Sequence, residues 1–150
     1  MAAVWDERKG LKDILALYEK FSEDYQFIII GLTIEQIRKI PKKIIGIERT
    51  NNIFELIELY SMADIFINPT YEDNYPTTNI EAISCGTAVV TYDTGGSPES
   101  AQLFGKIVPK GNVDMLYESI RLYKYLTIAN KENLDSYKMV LEYLEKSYCF

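Results

Sequence analysis

The chain of 150 residues contains no histidine. That absence removes Ser-His-Asp triads, histidine-ligated zinc and histidine bases together. Any proton transfer is left to carboxylates, tyrosines, lysines or a substrate's own phosphate. Cysteine is scarce as well: Cys85 and Cys149 are too few for a disulfide or metal framework. No apolar run approaches the roughly eighteen residues of a membrane span. The opening MAAVWDERKG lacks the basic head and long apolar stretch of a signal peptide, so a cytoplasmic location is expected. Basic residues number 16 against 22 acidic ones, for a net charge of -6, and the dense basic runs are confined to 8–9 and 39–43. This argues against a nucleic-acid-binding face but not against a local phosphate pocket. No Asp-x-Asp occurs, so no metal-bridged diphosphate is expected.

What the chain does have is an alternation of short apolar runs with amphipathic segments. Residues 2–5 read as the tail of a strand. In residues 11–21, Leu11, Ile14, Leu15, Leu17, Tyr18 and Phe21 recur at helical spacing. Strands are expected over 26–30, 43–47, 63–68, 87–92 and 106–108. Helices are expected over 34–40, from Asn52 onward with Glu55 at capping-box spacing, over 77–85, and over 113–126 and 132–148. Ser97-Pro98-Glu99 supplies a helix N-cap, a first-turn proline and a dipole-matching acid. Short apolar strands separated by helices imply an α/β three-layer sandwich, Rossmann-like, with a parallel sheet covered on both faces. One domain over 1–150 is the expectation.

The chemistry concentrates in 68–99, NPTYEDNYPTTNIEAISCGTAVVTYDTGGSPE. Asp73 and Glu81 flank a polar turn at the mouth of a helix, the carboxyl end of a parallel strand where such sheets bind ligands. Free N–H groups at that helix start suit phosphate, Thr77 and Thr78 add hydroxyls, and carboxylates suit sugar hydroxyls. Two plainer readings stand beside this one. Thr78-x-x-Glu81 also fits a capping box, and Glu72-Asp73-Asn74 also fits a solvated turn.

An acid, seven residues and a glutamate, followed by Gly-Thr-Ala-Val-Val and Gly-Gly-x-Pro-Glu, resembles the signature of retaining glycosyltransferases of the GT-B fold. Theirs is the large group 1 family that includes sucrose-phosphate synthases and bacterial polysaccharide mannosyl- and glucosyltransferases. The resemblance runs over residues 2–126 and implies the C-terminal, donor-binding half of that fold. It implies that Glu81 holds ribose and that Asp73, or Glu72 one residue too far, lies beside the donor sugar. The family's usual first acid is glutamate, so Asp73 is a departure. Lys9-Gly10 matches the family's Lys-Gly, whose lysine grips diphosphate. Its Gly-Arg is replaced by Ala3-Val4, leaving Arg8 as a substitute cation. Gly95 and Gly96 become pocket wall, Glu99 stays mainly structural, and Ile47 and Arg49 sit where the family shelters the base.

The implied reaction is transfer of a hexose from a UDP- or GDP-sugar to a hydroxyl with retained configuration, in polysaccharide or other glycan synthesis, without a metal. The acceptor, a glycan or lipid-linked sugar, would be held by an N-terminal domain that this stretch lacks, in a parent that can lie peripheral to a membrane. On that expectation the fragment alone is inactive. Two other classes stay open: a non-catalytic sugar-nucleotide-binding or regulatory module, and a flavodoxin-like regulatory domain. The Asp73/Glu81 loop argues against the latter.

Overall fold

The computed structural model describes residues 5–21 and 25–130, with side chains described as far as 122. The expected strand at 2–5 falls outside these residues except for Trp5, and the expected last helix and Cys149 fall outside entirely. A 3-10 turn, Glu7–Lys9, leads through Gly10 into α1 (Leu11–Lys20). There follow β1 (Ile28–Ile30), α2 (Ile34–Lys39), β2 (Ile45–Ile47), α3 (Ile53–Met62), β3 (Ile65–Asn68) and α4 (Thr77–Ser84). The order closes with β4 (Ala88–Tyr92), α5 (Ser97–Ala101), β5 (Gly105–Val108) and α6 (Val113–Asn130), the last four residues longer than the expected end at 126.

Local chemistry sets most of these ends. Thr33 and Gln36 form a reciprocal capping box that opens α2, and Pro41 follows its end. Asn52 caps α3 by accepting from the Glu55 N–H at 3.0 Å, but the Glu55 carboxylate turns to the Asn51 N–H instead. Only half of the expected box forms there. Ser97 is the first residue of α5 rather than its N-cap, a position that Gly96 takes. The turn through Gly95-Gly96 delivers the chain one residue early, and the buried Ser97 hydroxyl finds no partner.

Every strand pairing is parallel, as βαβ crossovers require. Among the described residues the strands form two sheets, β1-β2 and β3-β4-β5, where the sequence suggested one. All five residues of β4 are buried. Its side chains alternate: Val89 joins Tyr60, Ala82, Ile83 and Ala101 on one face, while Val90 and Tyr92 join Ile14, Leu17, Leu116 and Ile120 on the other. Helices α3, α4 and α5 therefore cover one side of this sheet and α1 and α6 the other, giving three layers. Phe27 and Ile29, from β1 and the residue before it, share the second cluster, so one core spans both sheets.

Trp5 and the turn after it bridge the carboxyl ends. The Trp5 indole donates to the Ile30 carbonyl at 2.7 Å, and the Tyr71 N–H donates to the Arg8 carbonyl at 2.6 Å. The chain is thereby laid across the edge where β1 and β3 both end.

Candidate functional site

Three loops meet at this edge: 5–10, 69–76 between β3 and α4, and 93–96 between β4 and α5. Side-chain hydroxyls tie these loops, and the strand ends that carry them, to one another. Thr91 Oγ1 donates to the Asn68 carbonyl at 2.8 Å, Thr94 Oγ1 to the Thr70 carbonyl at 2.9 Å, and Thr70 Oγ1 to the Arg8 carbonyl at 3.2 Å. Thr70 and Thr91 are fully buried, so each bond satisfies groups that burial would otherwise penalise.

This packing brings together residues far apart in sequence. Lys9 Nζ lies 2.7 Å from Asp73 Oδ2, with side chains 32% and 19% exposed. Asp73, not Glu72, is thus the acid that reaches Lys9; Glu72 is exposed at this turn. Arg8 points elsewhere, gripping Asp6 through Nε at 3.0 Å and Nη2 at 2.8 Å. The Asp6 pairing raises the Arg8 guanidinium pKa, with nearby Glu72 adding a little, and the same pair lowers the Asp6 carboxyl. Both cations of this turn are thus matched by acids.

The start of α4 is open. Its N-cap is Pro76, with no side-chain cap, so its first N–H groups have no intrahelical acceptor. Thr77 is exposed and Thr78 half-buried at this mouth. The capping-box reading of Thr78 and Glu81 fails, because Thr78 already lies inside the helix. The Glu81 carboxylate instead accepts from the Tyr60 hydroxyl at 3.2 Å. Gly95 and Gly96 cover the acid loop from the far side. Gly95 has φ +49°, and a Cβ there would collide with the Asp73 carbonyl oxygen; one on Gly96 would strike the Asn74 carbonyl. Only glycine lets the two backbones approach this closely.

Sequence reasoning missed two polar clusters. Asp13 Oδ2 accepts from Tyr71 at 2.8 Å and from Tyr92 at 2.6 Å, fastening α1 to the acid loop and to β4. Burial, then the Asp13 bond, raises the Tyr92 phenol well above its ordinary value. In the second cluster Asn68 Nδ2 donates to Asn79 Oδ1 and Asn79 Nδ2 to Ser100 Oγ, both at 2.9 Å, and Ser100 Oγ donates to the Ser97 carbonyl at 3.0 Å. An Asn three residues into a helix looks solvent-facing by type, yet Asn79 is fully buried. A groove of about 450 Å³ runs between α3 and α4, with Ile53, Leu56, Ile57, Tyr60 and Glu81 among its walls. No group of three or more carboxylate or cysteine side chains among the described residues is placed to hold a metal ion.

Residues 1–134 match the model of the family glycosyl transferases group 1. The chain belongs to that family. Over 105 residues this group 1 domain is 24% identical to alpha-maltose-1-phosphate synthase of Mycolicibacterium smegmatis, an alignment covering 61% of this chain and 27% of that protein. Its fold is similar to sucrose-phosphate synthase from Thermosynechococcus elongatus, with a TM-score of 0.74 and 19% identity over 93% of this chain and 39% of that one. It is also similar to Anabaena HepE solved with UDP-glucose, with a TM-score of 0.65 and 14% identity over 96% of this chain and 47% of that one. The chain thus spans about a quarter of the curated relative it matches. The α/β architecture with parallel sheets is the GT-B type of these neighbours. No described helix of this glycosyltransferase domain is long and apolar enough to cross a membrane.

Proposed function

We propose that this chain is the donor-binding half of a retaining hexosyltransferase. It takes a UDP- or GDP-sugar and presents the sugar to a hydroxyl of a glycan or lipid-linked acceptor, in glycan synthesis. The observation that supports this most is the meeting of Lys9 and Asp73 at 2.7 Å, 64 residues apart in sequence, beside a helix mouth with no side-chain cap.

In this reading the pair is a resting contact. An arriving diphosphate draws Lys9 to its oxygens, where the ammonium and the α4 N–H groups meet its charge. Asp73, released, accepts from hydroxyls of the donor sugar. Glu81 accepts from the ribose. As the glycosidic bond to phosphate breaks, negative charge grows on the leaving diphosphate, and donors already aimed there stabilise it without reorganising. The charge is met by the protein's own groups, so the reading needs no divalent cation.

Calorimetry with UDP and GDP, with and without EDTA, tests it. Binding of one of them, indifferent to the chelator, is expected. Lys9→Met should weaken it about tenfold or more, the worth of a charge-assisted hydrogen bond. Asp73→Asn should weaken a nucleotide-sugar but not the bare nucleotide. Loss of binding on chelation would overturn the metal-free reading, and no binding of either nucleotide would overturn the site.

A further inference from the structure

We infer that Tyr60 is a positioning residue that sets the Glu81 carboxylate for the ribose of a bound nucleotide. The inference rests on the donor-site reading above and adds to it a residue from α3 that no loop motif contains.

Glu81 is exposed on α4, and an exposed glutamate ordinarily samples several rotamers. Here one oxygen is held. The Tyr60 hydroxyl donates to Oε2 at 3.2 Å, and Glu81 has no other side-chain partner among the described residues. Tyr60 is itself well fixed, being 7% exposed. Its ring stands edge-on to Phe66 at 5.4 Å, and its carbonyl accepts from the Thr87 hydroxyl and from the Ala63 N–H.

A phenol kept protonated in this setting can only donate to the carboxylate. It therefore orients Glu81 while leaving the second oxygen able to accept from hydroxyls. Burial, with the Glu81 charge adding to it, raises the Tyr60 pKa and keeps that proton in place. The walls of the α3–α4 groove, Leu56 and Ile57 among them, lie alongside. Tyr60 touches no substrate; it acts through Glu81.

The test is a double-mutant cycle on binding. Tyr60→Phe should weaken UDP or GDP, whichever the wild type binds, by about three- to tenfold, the cost of re-ordering a loosened side chain. It should leave affinity for the 2′,3′-dideoxy form of the same nucleotide unchanged. On a Glu81→Gln background it should add nothing. A merely structural role would move the melting temperature and weaken both nucleotides equally. Equal weakening, additivity with Glu81→Gln, or no change in a protein that Glu81→Gln does weaken would each overturn the role of Tyr60 alone. A wild type that binds neither nucleotide would take the donor-site reading down first, and this inference with it.

Discussion

The two sheets end at the same face, yet they are braced very differently. β4 is buried along its whole length, the ends of β3 and β4 are tied to each other and to α4 through Thr91, Asn68 and Asn79, and the loops after them are joined by Thr94. The β1-β2 pair has a single buried strand residue, Ile29, and Ile45 of β2 is 48% exposed. Residues 48–49, which follow β2, are exposed. A polar network inside a low-dielectric core holds its members to one arrangement, since each lost partner strands another. The acid loop is therefore built to one shape, whereas residues 48–49 after β2 lie exposed outside that network. In the proposed function this divides the labour: the diphosphate and sugar meet a fixed surface, and the base meets an exposed one.

The sharpest way to break this contrast is at Gly95. Replacing it with alanine forces a Cβ against the Asp73 carbonyl at a positive φ. A loss of about 3 kcal/mol is expected, at the upper end for backbone strain, together with loss of nucleotide binding. An unchanged urea midpoint would show that the acid loop yields, and the contrast would collapse.

A paired substitution sharpens it. Asn79→Ala leaves Asn68 and Ser100 without their buried partner and should cost about 2 kcal/mol. Ile45→Thr, on the exposed strand, should stay within about 0.5 kcal/mol. Equal effects in urea melts would mean that the two sheets are braced alike.

The smallest effect is confined to alkaline solution. Tyr92 and Tyr60 both have raised pKa values in the fold, so the unfolded chain releases their protons first, near pH 10. The contribution of these two tyrosines to stability should be level below that and fall above it, by at most about 1.4 kcal/mol per pH unit for each. Tyr92→Phe should flatten part of the fall. A slope that the substitution leaves untouched would place the titration elsewhere.

The five described strands, their parallel sense and most described helix ends were legible because apolar runs, Pro41 and the cap at Asn52 act locally. Ser97 misled because side-chain type favours an N-cap while the preceding glycine pair decides where the turn ends. Glu81 was ambiguous for a related reason: capping depends on where the first turn begins, and Pro76 set that one residue before Thr77. Within the site, spacing favoured Asp73 while leaving Glu72 open, and Lys9 was marked only through the family resemblance, since a lysine beside a glycine is commonplace. That these two side chains touch is a tertiary fact. So are the Asp13, Tyr71 and Tyr92 cluster and the bond from Tyr60 to Glu81. Each of those residues is ordinary for its own helix, loop or strand, and only packing gives it a partner.

The carbonyl of Arg8 carries a consequence for how the molecule comes into being. It accepts from the Tyr71 N–H and the Thr70 hydroxyl, the latter 62 residues on. Chain entropy must be surrendered over that whole span before the contact returns anything, and long-range contacts of this kind slow folding. The docking of the turn at 5–10 is therefore among the contacts that cost the most chain entropy to make. A ligand that engages both Lys9 and Asp73 recognises only the chain that has finished this journey. At a hundred times its Kd such a ligand adds about 2.7 kcal/mol to the folded state. Occupancy of such a site is thus written into the midpoint of unfolding, where it can be read before any chemistry is assayed.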